Sequence, residues 1–328
     1  MFFFSFQPGA LVFDLTLSHG SRVDDIMHAL VWSRTPSCRF RLIMSSLNLQ
    51  GLGFDVITRI LECTIKEELE KLDVAFNALG NQGVVLVAQL NSNFINLTTL
   101  DLTSNNINLS SVQSRCESAL FIGQSLSSLP RLKHLSLSKN RLSSSLAFIL
   151  GPITNELETL RLASCTLKEK DLEFLSKTNH GLKYLDLSEN NLGDGNCWPH
   201  VITILKSRGS KLYLLELSRT FIGDEELGEI IKLGGASTWL RNIRYLNLSR
   251  NIIITRFLRQ FLSTFTFEAP RCVLHLPCPF DCREREEPGE PDEHGLPADP
   301  VDHDLIAHGA LKRLATRNVR IFFSGQAF

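Results

Sequence analysis

The 328-residue sequence has no unbroken apolar run of about 18 residues, so a membrane-crossing helix is not expected. It also lacks a charge excess. Its 34 Lys and Arg stand against 35 Asp and Glu, a formal net charge of −1, which gives no general attraction to nucleic acid or acidic membranes. The opening stretch "MFFFSFQPGALVFDL" is apolar, but no basic residue precedes it and Gln7, Pro8 and Asp14 interrupt it. A secretory signal is therefore not expected. The competing reading is that the chain begins inside a repeat. Missing too are a glycine-rich phosphate loop, a His-Glu-x-x-His pair and a serine elbow, so nothing argues for an enzyme.

Cysteine is present without a framework. Cys38, Cys63, Cys116, Cys165, Cys197, Cys272, Cys278 and Cys282 are scattered, which points to reduced thiols in the cytoplasm or nucleus. Cys272, His275, Cys278 and Cys282 are zinc-ligand types, but they lack a close Cys-x-x-Cys pair. Neither a metal nor a cofactor is expected. The glycosylation triplets at Asn96, Asn108 and Asn247 are what a Leu/Asn/Ser-rich repeat produces by chance.

What the sequence does contain is one phrase, written many times. "LKYLDLSENNLGD", Leu182 to Asp194, aligns with phrases starting at Leu69, Leu97, Leu132, Leu157, Leu212 and Ile243. A weaker copy begins at Phe40, and "FDLTLSHG" at Phe13 reads as an eroded first one. "VLHL" (Val273 to Leu276) and "VRIFF" (Val319 to Phe323) read as strands of degraded repeats. In "LxxLxL" the apolar side chains alternate on one face of a short, half-buried strand. Asn77, Asn105, Asn140, Asn190 and Asn251 fall at position nine, where an amide can satisfy backbone groups that a turn buries. Cys165 fills the same slot and is read as structural.

Between the strands lie amphipathic stretches with apolar residues at helical spacing: "DVITRILECTI", "VVLVAQL", "KEKDLEFLSK", "WPHVITILKS", "DEELGEIIKL" and "RFLRQFLSTF". Strand then helix at every turn predicts an α/β fold: a right-handed solenoid, or horseshoe, with a parallel sheet on the concave face and helices on the convex face. The phrase and its "LGD" and "IGDEE" continuations resemble leucine-rich repeats of the ribonuclease-inhibitor-like subclass, over about Phe13 to Leu276. Three segments follow: about nine or ten repeats over 1–276, an acidic, proline-rich insertion over 277–304 expected to be disordered, and a helix and strand over 305–328.

In such a sheet the residues beside the paired leucines face the concavity. The column between them reads Arg41, Asp73, Asp101, Ser136, Arg161, Asp186, Glu216 and Asn247, and the preceding column includes His134, Tyr184, Leu214 and Tyr245. All three tyrosines fall in consecutive repeats. Tyr184, Tyr213 and Tyr245, with Asp186, Glu216, Arg219, Arg244 and Arg250 beside them, are therefore the candidate protein-binding patch. The resemblance implies a non-catalytic scaffold for a protein partner. Alternatives are a recognition fragment of a larger protein (GTPase regulator, ubiquitin-ligase substrate receptor or innate sensor) and a secreted or receptor ectodomain.

Overall fold

A computed structural model of the chain describes residues 3–7, 10–15, 39–46, 53–64, 66–178, 181–193, 196–208, 212–234, 243–253, 273–276 and 320–323. They fall in two compact units, Met1–Asn190 and Asn191–Phe328. The stretch "RFLRQFLSTF", the acidic 277–304 insertion, the helix expected after residue 304, and Cys272, Cys278 and Cys282 lie outside the described residues.

The first unit holds strands β1 (Phe3–Gln7), β2 (Ala10–Asp14), β3 (Arg39–Ile43), β4 (Leu69–Asp73), β5 (Thr99–Asp101), β6 (His134–Ser136), β7 (Thr159–Arg161) and β8 (Tyr184–Asp186). From β2 onward each strand pairs in parallel with the next. β1 is the exception: it pairs antiparallel with β2, Phe3 opposite Asp14, a hairpin the repeat pattern did not predict. The eroded first phrase is real, with Phe13 and Leu15 at its two buried positions. The helices α1 (Gly53–Cys63), α2 (Asn81–Gln89), α3 (Val112–Ser127), α4 (Leu146–Leu150) and α5 (Glu169–Lys177) alternate with the strands.

Hydrophobic alternation explains this layering. Leu72, Leu100, Leu135, Leu160 and Leu185 stand in register across five strands, each at most 1% exposed. Helical residues at three- and four-residue spacing close over them, for example Ala119, Ile122 and Leu126 of α3. Removing one such leucine side chain costs about 2–5 kcal/mol. The long helix α3 was absent from the sequence reading because its serines and glutamines blur the apolar stripe. It packs closely: a Cβ on Gly123 would lie 2.2 Å from the Phe148 carbonyl oxygen.

Two polar devices tie neighbouring repeats together. Asp171 of α5 is 1% exposed. One of its carboxylate oxygens accepts from the Ser144 and Lys168 backbone N–H groups, and the other from that of Leu146. One carboxylate thus serves the start of both helices, meeting the Leu146 N–H in the first turn of α4, where helix N–H groups have no partner of their own, and the N–H of Lys168 just before α5. The other device is the position-nine slot. The Asn140 amide donates to the carbonyls of Leu102, Leu137 and Ser138, while its oxygen accepts from the Asn105 and Ile107 backbones. Asn77, Asn105 and Asn190 repeat that pattern of donation to their own turn and the one before.

The second unit holds β9 (Leu214–Glu216), β10 (Tyr245–Asn247), β11 (Val273–Leu276) and β12 (Arg320–Phe323), parallel in that order, with α6 (Trp198–Arg208) and α7 (Asp224–Gly234). The two terminal strand expectations are confirmed by β11 and β12. Here Thr220 occupies the slot beside Asn251. Its hydroxyl donates to the Leu217 carbonyl, and its N–H donates to the Asn251 side-chain oxygen.

Candidate binding face

Side chains that alternate away from the buried leucines form the open face of each sheet. In the first unit Lys71, Thr99, His134, Thr159 and Tyr184 stand opposite one another in one column. Asp73, Asp101, Ser136, Arg161 and Asp186 form the next. Both columns match the sequence reading except at one end. A register shift between Phe40 and Arg41 places Arg41 opposite Lys71 and Ile43 opposite Asp73. Arg41 therefore belongs to the first column: the sequence reading set Phe40 and Leu42 as the paired positions, whereas Leu42 and Met44, each 0% exposed, are the pair that matches Leu72 and Val74.

Across β4 to β8 this face carries a depression of about 260 Å³. Its floor is Ser136, 6% exposed, the smallest side chain in its column, with Asp101 and Arg161 on either side. The Ser136 hydroxyl lies 2.7 Å from that of Thr103, and His134 Nδ1 lies 2.9 Å from the Thr159 hydroxyl. The Arg161 guanidinium stacks 5.2 Å above the Tyr184 ring.

The electrostatics divide this face. Burial pushes Asp73 above the usual carboxylate range and neighbouring Asp101 adds to the effect, against the Ala75 N–H and Lys71, whose ammonium is 3.5 Å away. Burial also lowers His134, which keeps its imidazole neutral near pH 7. Beside it Glu158 is bridged by Lys133 and Lys183, each at 2.8 Å, and their hydrogen bonds hold its carboxyl at about 2. On the face, Asp73 and Asp101 stand on β4 and β5 with Lys71 beside Asp73, and Arg161 on β7 stands between Ser136 and Asp186.

Of the candidate patch, Tyr184 and Asp186 lie on β8 in the first unit. Tyr213, Glu216, Arg219, Arg244, Tyr245 and Arg250 lie in the second. Within the second unit Arg244 stacks 5.7 Å above Tyr213, Tyr245 lies 5.3 Å from His275, and Glu216 stands opposite Asn247. Arg219 and Arg250 are exposed and hold left-handed backbone, φ 55° and 60°. So do Ser46, Phe76, Ser104, Lys139, Ser164 and Glu189, two positions past the second buried strand residue in their repeats. The candidate list missed Lys71, Thr99, His134, Thr159 and Arg161, whose signal was their shared column with Tyr184 or Asp186. Among the described residues no group of three or more His, Cys, Asp or Glu is placed to hold a metal ion. No described helix is long and apolar enough to cross a membrane.

The leucine-rich repeat family pattern matches residues 69–88, 95–114 and 178–195. Leucine-rich repeat-containing protein 14 of Xenopus laevis is 30% identical over 257 residues, 77% of this chain and 49% of that protein. The Homo sapiens protein of the same name is 29% identical over 249 residues, 74% and 49% respectively. The chain thus spans about half the length of these relatives. NACHT, LRR and PYD domains-containing protein 12 of Homo sapiens is 32% identical over 174 residues, 50% of this chain and 16% of that protein. Among solved structures, the leucine-rich repeat protein LegL7 of Legionella pneumophila matches with a TM-score of 0.51 and 17% identity, covering 81% of each chain, a likeness of fold alone. Taken with the repeat phrase and the strand register, these likenesses make the chain a leucine-rich repeat protein.

Proposed function

We propose that the chain is a non-catalytic scaffold that binds a protein partner on the open sheet face. The supporting observation is that two columns of polar, charged and aromatic side chains stand on paired strands rather than loops. A preformed surface of this kind lowers the ordering cost of binding. Tyrosine with arginine is the composition of binding hot spots, and both units carry such stacked pairs. Tyr184→Ala and Tyr245→Ala, made singly, should each weaken capture of the partner from source cells by about tenfold while the thermal transition stays in place. Unchanged capture by both variants removes the tyrosines from the site.

A second reading, that this chain is the recognition part of a longer protein, is favoured by its spanning about half of its relatives. The name of one relative sets leucine-rich repeats beside NACHT and PYD domains. GTPase regulation, ubiquitin-ligase substrate recognition and innate sensing belong to this reading, and full-length transcript sequencing tests it. We place the protein in the cytoplasm or nucleus, consistent with the free, buried thiol of Cys165. Cell fractionation checks that placement.

A further inference from the structure

Asp101, Ser136 and Arg161 are consecutive in one column of the first unit's open face. A carboxylate and a guanidinium therefore stand two strands apart, about 10 Å at the usual strand spacing. Ser136 between them is short and turned to the Thr103 hydroxyl, so it leaves a gap instead of a bridge. Each end is reinforced. Asp73, with Lys71 at 3.5 Å, lies next to Asp101 at one end; at the other, Tyr184 lies under the Arg161 guanidinium and Asp186 stands opposite Arg161 on its far side from Ser136. A guanidinium held over an aromatic ring keeps N–H groups with which it can grip a carboxylate through two parallel hydrogen bonds. The neutral His134 adds no positive charge between the two ends.

We propose that this depression recognises an extended protein segment carrying one cationic side chain and one carboxylate about three residues apart. The cation lies against Asp101 and Asp73, the carboxylate against Arg161, and the intervening backbone crosses the depression over Ser136. The three-residue spacing follows from matching about 10 Å to an extended polyproline II segment, in which residues three apart lie on the same side, roughly 9 Å from one another. A segment with two cations or two carboxylates meets a like charge at one end, which is the repulsive element that makes a site selective. The proposal rests on the reading that partners bind the open face, and it names the chemistry of one such partner.

Fluorescence polarisation at low salt tests it, with fluorescein-labelled Gly/Ser nonapeptides carrying Lys and Glu three residues apart. Lys/Lys and Glu/Glu counterparts serve as comparison. The wild type should bind the Lys/Glu peptide at least about fivefold more tightly than either counterpart. Arg161→Glu should transfer the preference to the Lys/Lys peptide, and Asp101→Lys should transfer it to the Glu/Glu peptide. Misfolding weakens all three together and cannot exchange their order. Absence of binding, equal binding, or an order unchanged by both substitutions overturns the proposal. If that happens while Tyr184→Ala still loses its partner, the scaffold reading stands and only the peptide chemistry is wrong.

Discussion

The position-nine slot and the open sheet face lie within a few residues of each other in every repeat, yet they are filled by opposite rules. The slot is sealed and repetitive: Asn77, Asn105, Asn140 and Asn190 are at most 2% exposed, and each donates to backbone carbonyls of two adjacent repeats. The face varies along the sheet, Asp73 and Asp101 giving way to Ser136, Arg161 and Asp186. A buried backbone group must find a partner, so the slot admits only side chains that supply one. Half-exposed face residues have water as an alternative partner, so folding leaves their identity open. Folding thus constrains the first region and leaves the second free to vary.

The largest effect is expected in the slot. Asn140→Ala withdraws the amide from three carbonyls and the oxygen from two N–H groups. It should lower the unfolding free energy by about 3 kcal/mol in urea titrations, since the three carbonyls keep other donors and the two N–H groups left unmet cost about 1–3 kcal/mol each. A loss near zero would mean that the slot is as tolerant as the face.

Cys165 offers the reverse test. Its sulfur is buried, 3.2 Å from the Leu137 carbonyl, and burial pushes the thiol up to about 12, so it should resist thiol reagents until the protein unfolds. Cys165→Asn restores the amide that its neighbours carry. It should raise stability by about 1 kcal/mol, visible as a higher thermal midpoint.

The smallest effect is expected at the rim of the face. Glu158 is held at about 2, against an ordinary 4.5, so it adds stability that is full above pH 4.5 and is lost as pH falls towards 2. Glu158→Gln should leave the fold intact at pH 7 and flatten the acid limb of the stability curve between those values. Identical acid limbs for the two proteins would show that the Lys133 and Lys183 bridges contribute nothing.

Much of this contrast was legible in the sequence. The strand phrase located β3 to β12, and the spacing of asparagines located the slot, because both follow from a short period repeated along one dimension. Thr220 was passed over because a hydroxyl carries no amide signature, although it reaches the Leu217 carbonyl from the same place. Helix α3 was passed over because its polar residues interrupt the inward stripe. The left-handed turn residues escaped notice because serine, lysine, glutamate and arginine carry no label for positive φ. The surrounding slot bonds impose that conformation at about 1 kcal/mol or more per residue.

By itself the sequence determined which residues turn inward and which face out, since alternation around a buried leucine admits only one arrangement. Only the tertiary structure decided which outward residues become neighbours. Asp101, Ser136 and Arg161 are up to 60 positions apart in the chain, counting from 101 to 161, and stand side by side because parallel strands pair in register. Register depends on hydrogen bonds between strands and on irregularities such as the shift between Phe40 and Arg41. Those bonds are made between backbone groups that every residue carries, so side-chain identity does not encode them.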